Sequence, residues 1–246
     1  VVMVLLWVPE SLPAERRQDG GLRMLLDGTR ELARDHVLVR LLFINALSFG
    51  LLMAYLSAAP FVLRNVLGMG TVVYTAVFGL CGATVTVTIA VAASLVRRFS
   101  QARQVRVGLI AGLVVDTVFA GVCLTWLREP VTGPERMPLL VAVVALFLAH
   151  VACLGLSMGN APALALDRTG RWAGTGSALL GFLQFVVGGL VSPLVGLTGE
   201  DSGVAFGVVI VAVGVIANIL AVFGLHKRGE KQRLAAQASE RRSQRL

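Results

Sequence analysis

Six long apolar segments, separated by short polar connections, take up most of this chain of 246 residues. A helix needs about 20 mostly apolar residues to cross the hydrocarbon core of a bilayer. The segments that meet this requirement are residues 38–61, 71–96, 107–127, 138–164, 174–197 and 203–225. Only 15% of the residues are charged, which excludes a soluble domain because such domains are about 25% charged. We therefore predict an all-α membrane protein whose six transmembrane helices form a bundle over residues 38–225.

The positively charged residues are distributed unevenly between the two ends of the predicted bundle. Nineteen of the 22 Lys and Arg residues lie before the first span, after the second and fourth spans, and in the C-terminal tail. The cytoplasmic side of a membrane protein carries the excess of Lys and Arg. We therefore expect a multi-pass protein of the cytoplasmic (inner) membrane with both ends of the chain in the cytoplasm. Orientation and anionic lipid headgroups account for the net charge of +8, so the expected partner is the lipid bilayer and not nucleic acid.

Three segments lie outside the predicted bundle. Residues 1–8 are apolar but too short to cross a membrane, and we expect them to be the inner end of a preceding transmembrane helix. Residues 9–37 are expected to form a cytoplasmic central loop with an amphipathic segment at 21–34. That segment is either an interfacial helix or a loosely ordered linker. Residues 226–246 are polar and basic and are expected to form a cytoplasmic tail.

Two of the predicted helices carry polar side chains along one face, although polar groups are costly in lipid. These side chains are Asn45, Ser48 and Tyr55 in the first span, and His150, Cys153, Ser157 and Asn160 in the fourth. A pattern that recurs three helices apart is typical of an internal three-plus-three repeat, and repeat-related helices often line a transporter's substrate site. All of them except Cys153, together with Gln184 of the fifth span, are candidate substrate-binding residues. Hydrogen bonding between packed helices is the alternative interpretation.

Asp116 is the only acidic residue at the centre of a predicted span. Gly108, Gly112 and Ala120 lie on the same helical face at steps of four, and such small residues let another helix approach closely. We therefore expect Asp116 to face protein. It is a candidate proton-coupling residue, and the alternative is a carboxyl that stays protonated and hydrogen-bonded within the bundle. His150 is the second titratable group inside a span, either as a proton site or as a satisfied core histidine.

Neither a cofactor, a metal nor a catalytic residue is expected. Cys81, Cys123 and Cys153 lie within apolar spans without the paired spacing of a metal site, so they are interpreted as small hydrophobic residues. An intramembrane serine protease is the catalytic alternative, because the chain offers His150 and Ser177. The order of these two residues is the reverse of that family, so we expect no enzyme.

Three segments resemble one branch of a transporter superfamily. Residues 9–17, reading PESLPAERR, resemble the "P-E-T-L-P-x-E-R-R" segment after helix six of the bicyclomycin/chloramphenicol-resistance (Bcr/CflA) branch of the major facilitator superfamily. Residues 54–63, reading AYLSAAPFVL, look like the end of helix seven in that branch. Residues 173–184, reading AGTGSALLGFLQ, look like the start of its helix eleven. The resemblance implies that the six spans are helices seven to twelve, the C-terminal half of a twelve-helix fold.

The function that this resemblance implies is proton-coupled export of small drug-like molecules, that is, multidrug efflux by drug:proton antiport with alternating access. The implied partners are a drug-like substrate, protons and the missing N-terminal six-helix half. The alternative is a truncated or inactive half-transporter remnant. Two departures limit the transfer: residues 97–106 have the basic residues of the superfamily's "G-x-x-x-D-R-x-G-R-R" loop without its Gly and Asp, and Asp116 falls on helix nine, which is usually peripheral.

Overall fold

The computed structural model describes the backbone of residues 22–243 and the side chains of residues 23–223. The expected end of a preceding helix at 1–8 lies outside the described residues. Seven α-helices follow one another, and no strand occurs in the described range. They are α1 (Leu22–Ala33), α2 (His36–Pro60), α3 (Thr71–Leu95), α4 (Gln101–Thr125), α5 (Arg136–Leu166), α6 (Ala173–Leu194) and α7 (Val204–Ser243). A π-helical segment, Phe61–Val66, extends α2, and a 3-10 turn, Gly170–Trp172, precedes α6.

Six of these helices, α2 to α7, are long and apolar enough to cross a membrane, which confirms the number of spans predicted from the sequence. These segments are helical because a chain in hydrocarbon must satisfy its backbone N–H and C=O groups by internal hydrogen bonds. At its start, α4 differs most from the prediction, because it begins six residues before the predicted span. The Ser100 side chain caps this helix by accepting a hydrogen bond from the N–H of Arg103, so Arg103 and Arg106 lie on a helix and not in a loop.

The helices pack with an internal exchange symmetry. The principal contacts are α2 with α5, α6 and α7, α5 with α3 and α4, and α4 with α7. This set is unchanged when α2, α3 and α4 are exchanged for α5, α6 and α7, as a three-plus-three repeat requires. The central helix of the arrangement is α2, of whose apolar window 56% is buried, whereas for α3 and for α6 the share is 11%.

The amphipathic segment before the bundle forms the helix α1 and is not a loosely ordered linker. Leu32 is buried against the bundle, while Leu25 and Leu26 are 43% and 52% exposed. The helix packs on α6 and α2. At the opposite end of the chain, α7 continues to Ser243, and the backbone of the expected basic tail is therefore helical over residues 226–243.

Candidate functional site

The most unusual feature inside the bundle is a buried acid–base pair. Nδ1 of His150 on α5 and Oδ1 of Asp116 on α4 are joined by a hydrogen bond of 2.5 Å. Each side chain is 1% exposed. Removing two ionisable groups from water costs free energy that their mutual attraction seldom exceeds. A pair at this depth in a membrane bundle is therefore a candidate functional site.

Small residues bring the helices close enough to bury the pair. A Cβ at Gly108 would lie 2.9 Å from the backbone oxygen of Cys153, which shows how closely α4 approaches α5. A Cβ at Gly207 of α7 would lie 3.0 Å from Cα of Ala120. One at Gly214 would lie 3.6 Å from Oδ2 of Asp116. The predicted small-residue face of α4 thus packs against protein on two sides, and Asp116 lies where α4, α5 and α7 meet.

Aromatic side chains close one side of the pair. Phe119, Phe147 and Phe206 are completely buried and pack edge to face or tilted, with ring centroids 4.8 to 5.6 Å apart. The ring of Phe206 also lies 6.5 Å from the imidazole of His150. Tyr55 of α2 packs edge to face on Phe147 at 5.3 Å. The pair is therefore bordered by an apolar cluster, in which electrostatic interactions are stronger than in water.

The second imidazole nitrogen of His150 is available for a proton. Nε2 is buried and makes no hydrogen bond of regular geometry with the described residues. The backbone of Leu51 on α2 is near enough to interact electrostatically with the imidazole. Nδ1 is engaged with Asp116, so Nε2 is the ring nitrogen on which this imidazole can gain or lose a proton without breaking that contact. The arrangement can therefore hold and release a single proton.

Polar groups continue from this pair along the α4–α5 contact. The Ser157 hydroxyl is buried without a hydrogen-bond partner among the described residues, and Asn160 donates to Oε1 of Gln104 at 3.3 Å. Gln104 in turn donates to the carbonyl of Phe99. Gln104 was missed by the sequence analysis because the predicted span began after it. The signal was present, since Gln104 precedes Gly108 by the same step of four that leads to Asp116.

The remaining predicted substrate-binding residues lie apart from the pair. Asn45 and Ser48 of α2 are buried, the Asn45 amide nitrogen has no partner among the described residues, and the Ser48 hydroxyl donates to the carbonyl of Ile44 on its own helix. Gln184 is half-buried on α6, and Ser177 is exposed on the same helix. Of the predicted set, the structure thus brings His150 to Asp116 and places Ser157 and Asn160 along the same helix contact.

Two ion pairs at one end of the bundle were not predicted. Asp35 caps α2 by accepting from the N–H of Val37 and Leu38, and Arg168 donates to it through two nitrogens at 2.6 and 2.8 Å. Arg171 donates to Glu31 of α1 at 2.6 Å. These contacts fasten α1 and the start of α2 to the connection between α5 and α6. We call this end, which also carries the loop between α3 and α4, the basic end.

The ion pairs change the ionisation of both carboxyl groups. The hydrogen bond from Arg171 lowers the pKa of Glu31 below its usual value of 4.5. Burial opposes the ionisation of Asp35, but the hydrogen bonds from Arg168 and from the backbone of Leu38 outweigh it and lower the pKa of this carboxyl below 3.8. Both carboxylates are therefore charged at neutral pH.

The side chains that the structure places together do not form a metal-binding cluster. Within residues 23–223, no group of three or more His, Cys, Asp and Glu side chains could hold a metal ion.

The chain matches known proteins over most of its length. Residues 1–193 match the model of the Major Facilitator Superfamily. A similar relative is the uncharacterized MFS-type transporter YdgK of Bacillus subtilis (strain 168), which is 27% identical over 231 residues. The match takes in 92% of this chain but 53% of the relative, so the chain spans about half the length of the curated relative it matches. No solved structure matches the chain.

The family match, six membrane-length helices and their all-α packing agree with one another. The match covers far more than half of the chain, and the helices span residues 36–223 in the order that the sequence predicted. The chain belongs to the major facilitator superfamily and is a multi-pass membrane protein.

Proposed function

We propose that this chain is the C-terminal half of a proton-coupled exporter of small drug-like molecules, with its spans α2 to α7 as helices seven to twelve of a twelve-helix transporter. The observation that carries the proposal is the Asp116–His150 pair, buried at 1% exposure of each side chain. Family membership supports membrane transport. The drug-like substrate class rests on the resemblance of residues 9–17, 54–63 and 173–184 to the bicyclomycin/chloramphenicol-resistance branch. No catalytic step is assigned to the chain.

The pair supplies the proton step of the proposed antiport. Proton binding at Nε2 of His150 removes the net charge of the pair, and this change alters the cost of burying it. The conformation that closes the pair away from water is favoured when the pair is neutral. The conformation that opens it to water tolerates the charge. Proton binding and release therefore bias two arrangements of the helices, which is what coupling to alternating access requires.

A second six-helix unit is the proposed partner. The helices α3 and α6 expose most of their surface, including Val72, Leu80 and Val87 on α3 and Phe182 and Phe185 on α6. The hydroxyls of Thr75, Thr84 and Thr86 donate to carbonyls of their own helix, so α3 can meet an apolar surface without unsatisfied groups. We propose that the two helices pack against the other half, and that the substrate site lies between the halves. Asn45, Ser48, Tyr55, Ser157, Asn160 and Gln184 are proposed to support that site from this side.

The proposed orientation places the basic end of the bundle in the cytoplasm. In sequence, nineteen of the 22 Lys and Arg residues precede the first predicted span, follow the second or fourth span, or belong to the C-terminal tail, and the cytoplasmic side carries the positive excess. The proposed location is the cytoplasmic membrane.

The test uses the protein, together with any six-helix partner that it requires, reconstituted in proteoliposomes with an imposed pH gradient. Ethidium fluorescence reports dye movement and internal pyranine reports protons. Asp116→Asn and His150→Gln should each lower proton-driven dye movement by about tenfold, the effect of losing about 1.4 kcal/mol of interaction. Thr117→Val is the matched control, since Thr117 is exposed on the same helix and bonds only to the carbonyl of Leu113.

Equal dye transport by wild type, Asp116→Asn and His150→Gln, with the same dependence on pH, would remove the pair from the mechanism. Dye movement that ignores the pH gradient in the wild-type protein would contradict proton coupling itself.

A further inference from the structure

A groove lies between α3 and α4 at the basic end of the bundle. Both helices pack on α5 but have little contact with each other. The loop 96–100 joins them and closes the groove at its end, and the result is a cavity of about 220 Å³. Its lining residues are Leu95, Phe99, Arg103, Gln104, Val107 and Leu156. The groove thus has α5 as its floor and an open side between the two helices.

The open side of the groove faces away from the rest of the bundle. Phe99 is 40% and Val107 50% exposed, and in a membrane-spanning bundle such apolar side chains are in contact with lipid chains. The floor is the apolar side chain of Leu156. The Gln104 amide at the base is 4% exposed and is already bonded to the Phe99 carbonyl and to Asn160. The interior of the groove therefore suits an apolar chain and leaves no free buried amide group in it.

The mouth of the groove carries a fixed positive charge. The guanidinium carbon of Arg103 lies 5.1 Å from the centre of the Phe99 ring, so that the ring holds the cation at the level of the groove. Arg103 forms no ion pair with a described residue. Residues 97–106 contain Arg97, Arg98 and Arg106 in addition and no acidic residue. The mouth thus combines a guanidinium that lies over an aromatic ring and has no ion-pair partner among the described residues with three further arginines nearby in the sequence.

An apolar groove that opens to lipid, with an exposed Arg at its mouth, fits a molecule that has both an acyl chain and an anionic headgroup. We propose that this groove binds an anionic phospholipid, with the phosphate at Arg103 and an acyl chain along Val107 and Leu156. Arg presents several N–H donors in a planar fork that fits phosphate oxygens, and basic pockets between transmembrane helices bind anionic head groups. Net charge selects the lipid, because the ammonium group of a zwitterionic headgroup offsets the attraction between its phosphate and the Arg103 guanidinium. The proposal is independent of what the protein transports.

The experiment measures lipid binding to the purified, detergent-solubilised protein by microscale thermophoresis. The probes are dilauroyl phosphatidylglycerol and dilauroyl phosphatidylcholine. We expect phosphatidylglycerol to bind the wild-type protein more tightly, and Arg103→Gln to weaken that binding by about tenfold, as the loss of one charge-assisted contact to phosphate implies. Arg97→Gln is the matched control, because Arg97 belongs to the adjoining loop and does not line the groove. It should change the apparent Kd by less than about twofold.

A second variant tests the chain-binding part of the groove. Val107→Trp places a large side chain at the open, exposed side of the groove and should lower the affinity for phosphatidylglycerol while the melting temperature without lipid stays unchanged. Equal loss of binding in Arg97→Gln and Arg103→Gln would mean general attraction to a basic surface and would overturn the proposal. Equal affinity for the two lipids, or unchanged binding in Val107→Trp, would overturn it as well.

Discussion

At the scale of single residues, the close approach of α4 to α5 depends on the absence of a side chain at Gly108. A Cβ at this position would lie 2.9 Å from a backbone oxygen, from the Leu156 Cβ and from the Ser157 hydroxyl. A backbone atom and a Cβ cannot move aside as the end of a flexible side chain can. The burial of Asp116, two helical turns away on the same face, therefore depends on how closely these two helices pack.

Replacement of Gly108 by Ala should separate the two helices slightly and destabilise the protein. We expect Gly108→Ala to cost about 1 to 3 kcal/mol, as overpacking of a dense interior does. Gly121→Ala on the same helix is the matched control, because a Cβ there meets nothing within 4 Å. The measurement is the thermal unfolding of both variants in the same detergent. Unchanged stability of Gly108→Ala, relative to Gly121→Ala, would show that α4 and α5 are less closely packed than described.

The residues of the candidate site could be predicted from the sequence only in part. The rarity of an acidic residue in mid-span singled out Asp116, and its row of small neighbours correctly predicted burial against protein. The sequence did not pair Asp116 with His150, because 34 positions separate them and their meeting depends on how α4 and α5 are rotated about their axes. It also did not identify Gln104. The span was predicted from its apolar residues, whereas the helix begins earlier, at Gln101, and Ser100 is its N-cap.

At the scale of the elements, α1 is held to the bundle by charge as well as by Leu32. The pairs Asp35–Arg168 and Glu31–Arg171 join it and the start of α2 to the α5–α6 connection. The amphipathic pattern of α1 could be read from the sequence. Its docking site could not, since the partners lie 133 and 140 positions away.

The docking of α1 should depend on pH in the acid range. The pKa values of Glu31 and Asp35 are lowered in the folded protein from 4.5 and 3.8. Their contribution is therefore complete above pH 4.5 and is lost as the pH falls through the lowered values. A spin label at Leu26→Cys, in a background without the native cysteines, should remain equally immobile from neutral pH down to 4.5 and become mobile below 3.8.

Removal of a partner should release α1 without acid. Arg168→Gln is expected to increase the mobility of the same label at neutral pH, because Asp35 loses the guanidinium that donates to its Oδ2 through two nitrogens. Arg30→Gln is the control, since the Arg30–Asp27 contact is 4.0 Å long and exposed, and such pairs contribute little. A label that is equally mobile in both variants at neutral pH would refute the fastening role of the Asp35–Arg168 pair.

At the scale of the whole molecule, the helix contacts obey the exchange symmetry between the first three and the last three spans. The polar side chains at those contacts do not obey it. The α4–α5 contact and its counterpart between α7 and α2 have the same place in the arrangement. Only the first holds an acid–base pair among the described residues. The number of spans and the repeat were readable from apolar length and from the polar stripes. The acid–base pair lies at only one of the two equivalent contacts because of the identity of single residues. The spacing of polar residues along the chain does not determine which contact that is.

The orientation of the whole bundle can be tested by labelling from one side. In a background without the native cysteines, Asp201→Cys should react with a membrane-impermeant maleimide in intact bacterial cells. Arg98→Cys should react only after permeabilisation, because nineteen of the 22 basic residues are expected on its side of the membrane. Both positions are exposed in loops at opposite ends of the bundle. Labelling of Arg98→Cys in intact cells would reverse the proposed orientation.

The position of the acid–base pair on successive helices has a consequence for biosynthesis. The ribosome completes α4 before it makes α5, so Asp116 reaches the membrane 34 residues ahead of the histidine to which it is hydrogen-bonded. Inserting an ionised Asp alone costs about 2.5 to 3.5 kcal/mol. We therefore expect the translocation machinery to admit α4 and α5 together as a hairpin, so that the carboxyl enters hydrocarbon already joined to its base.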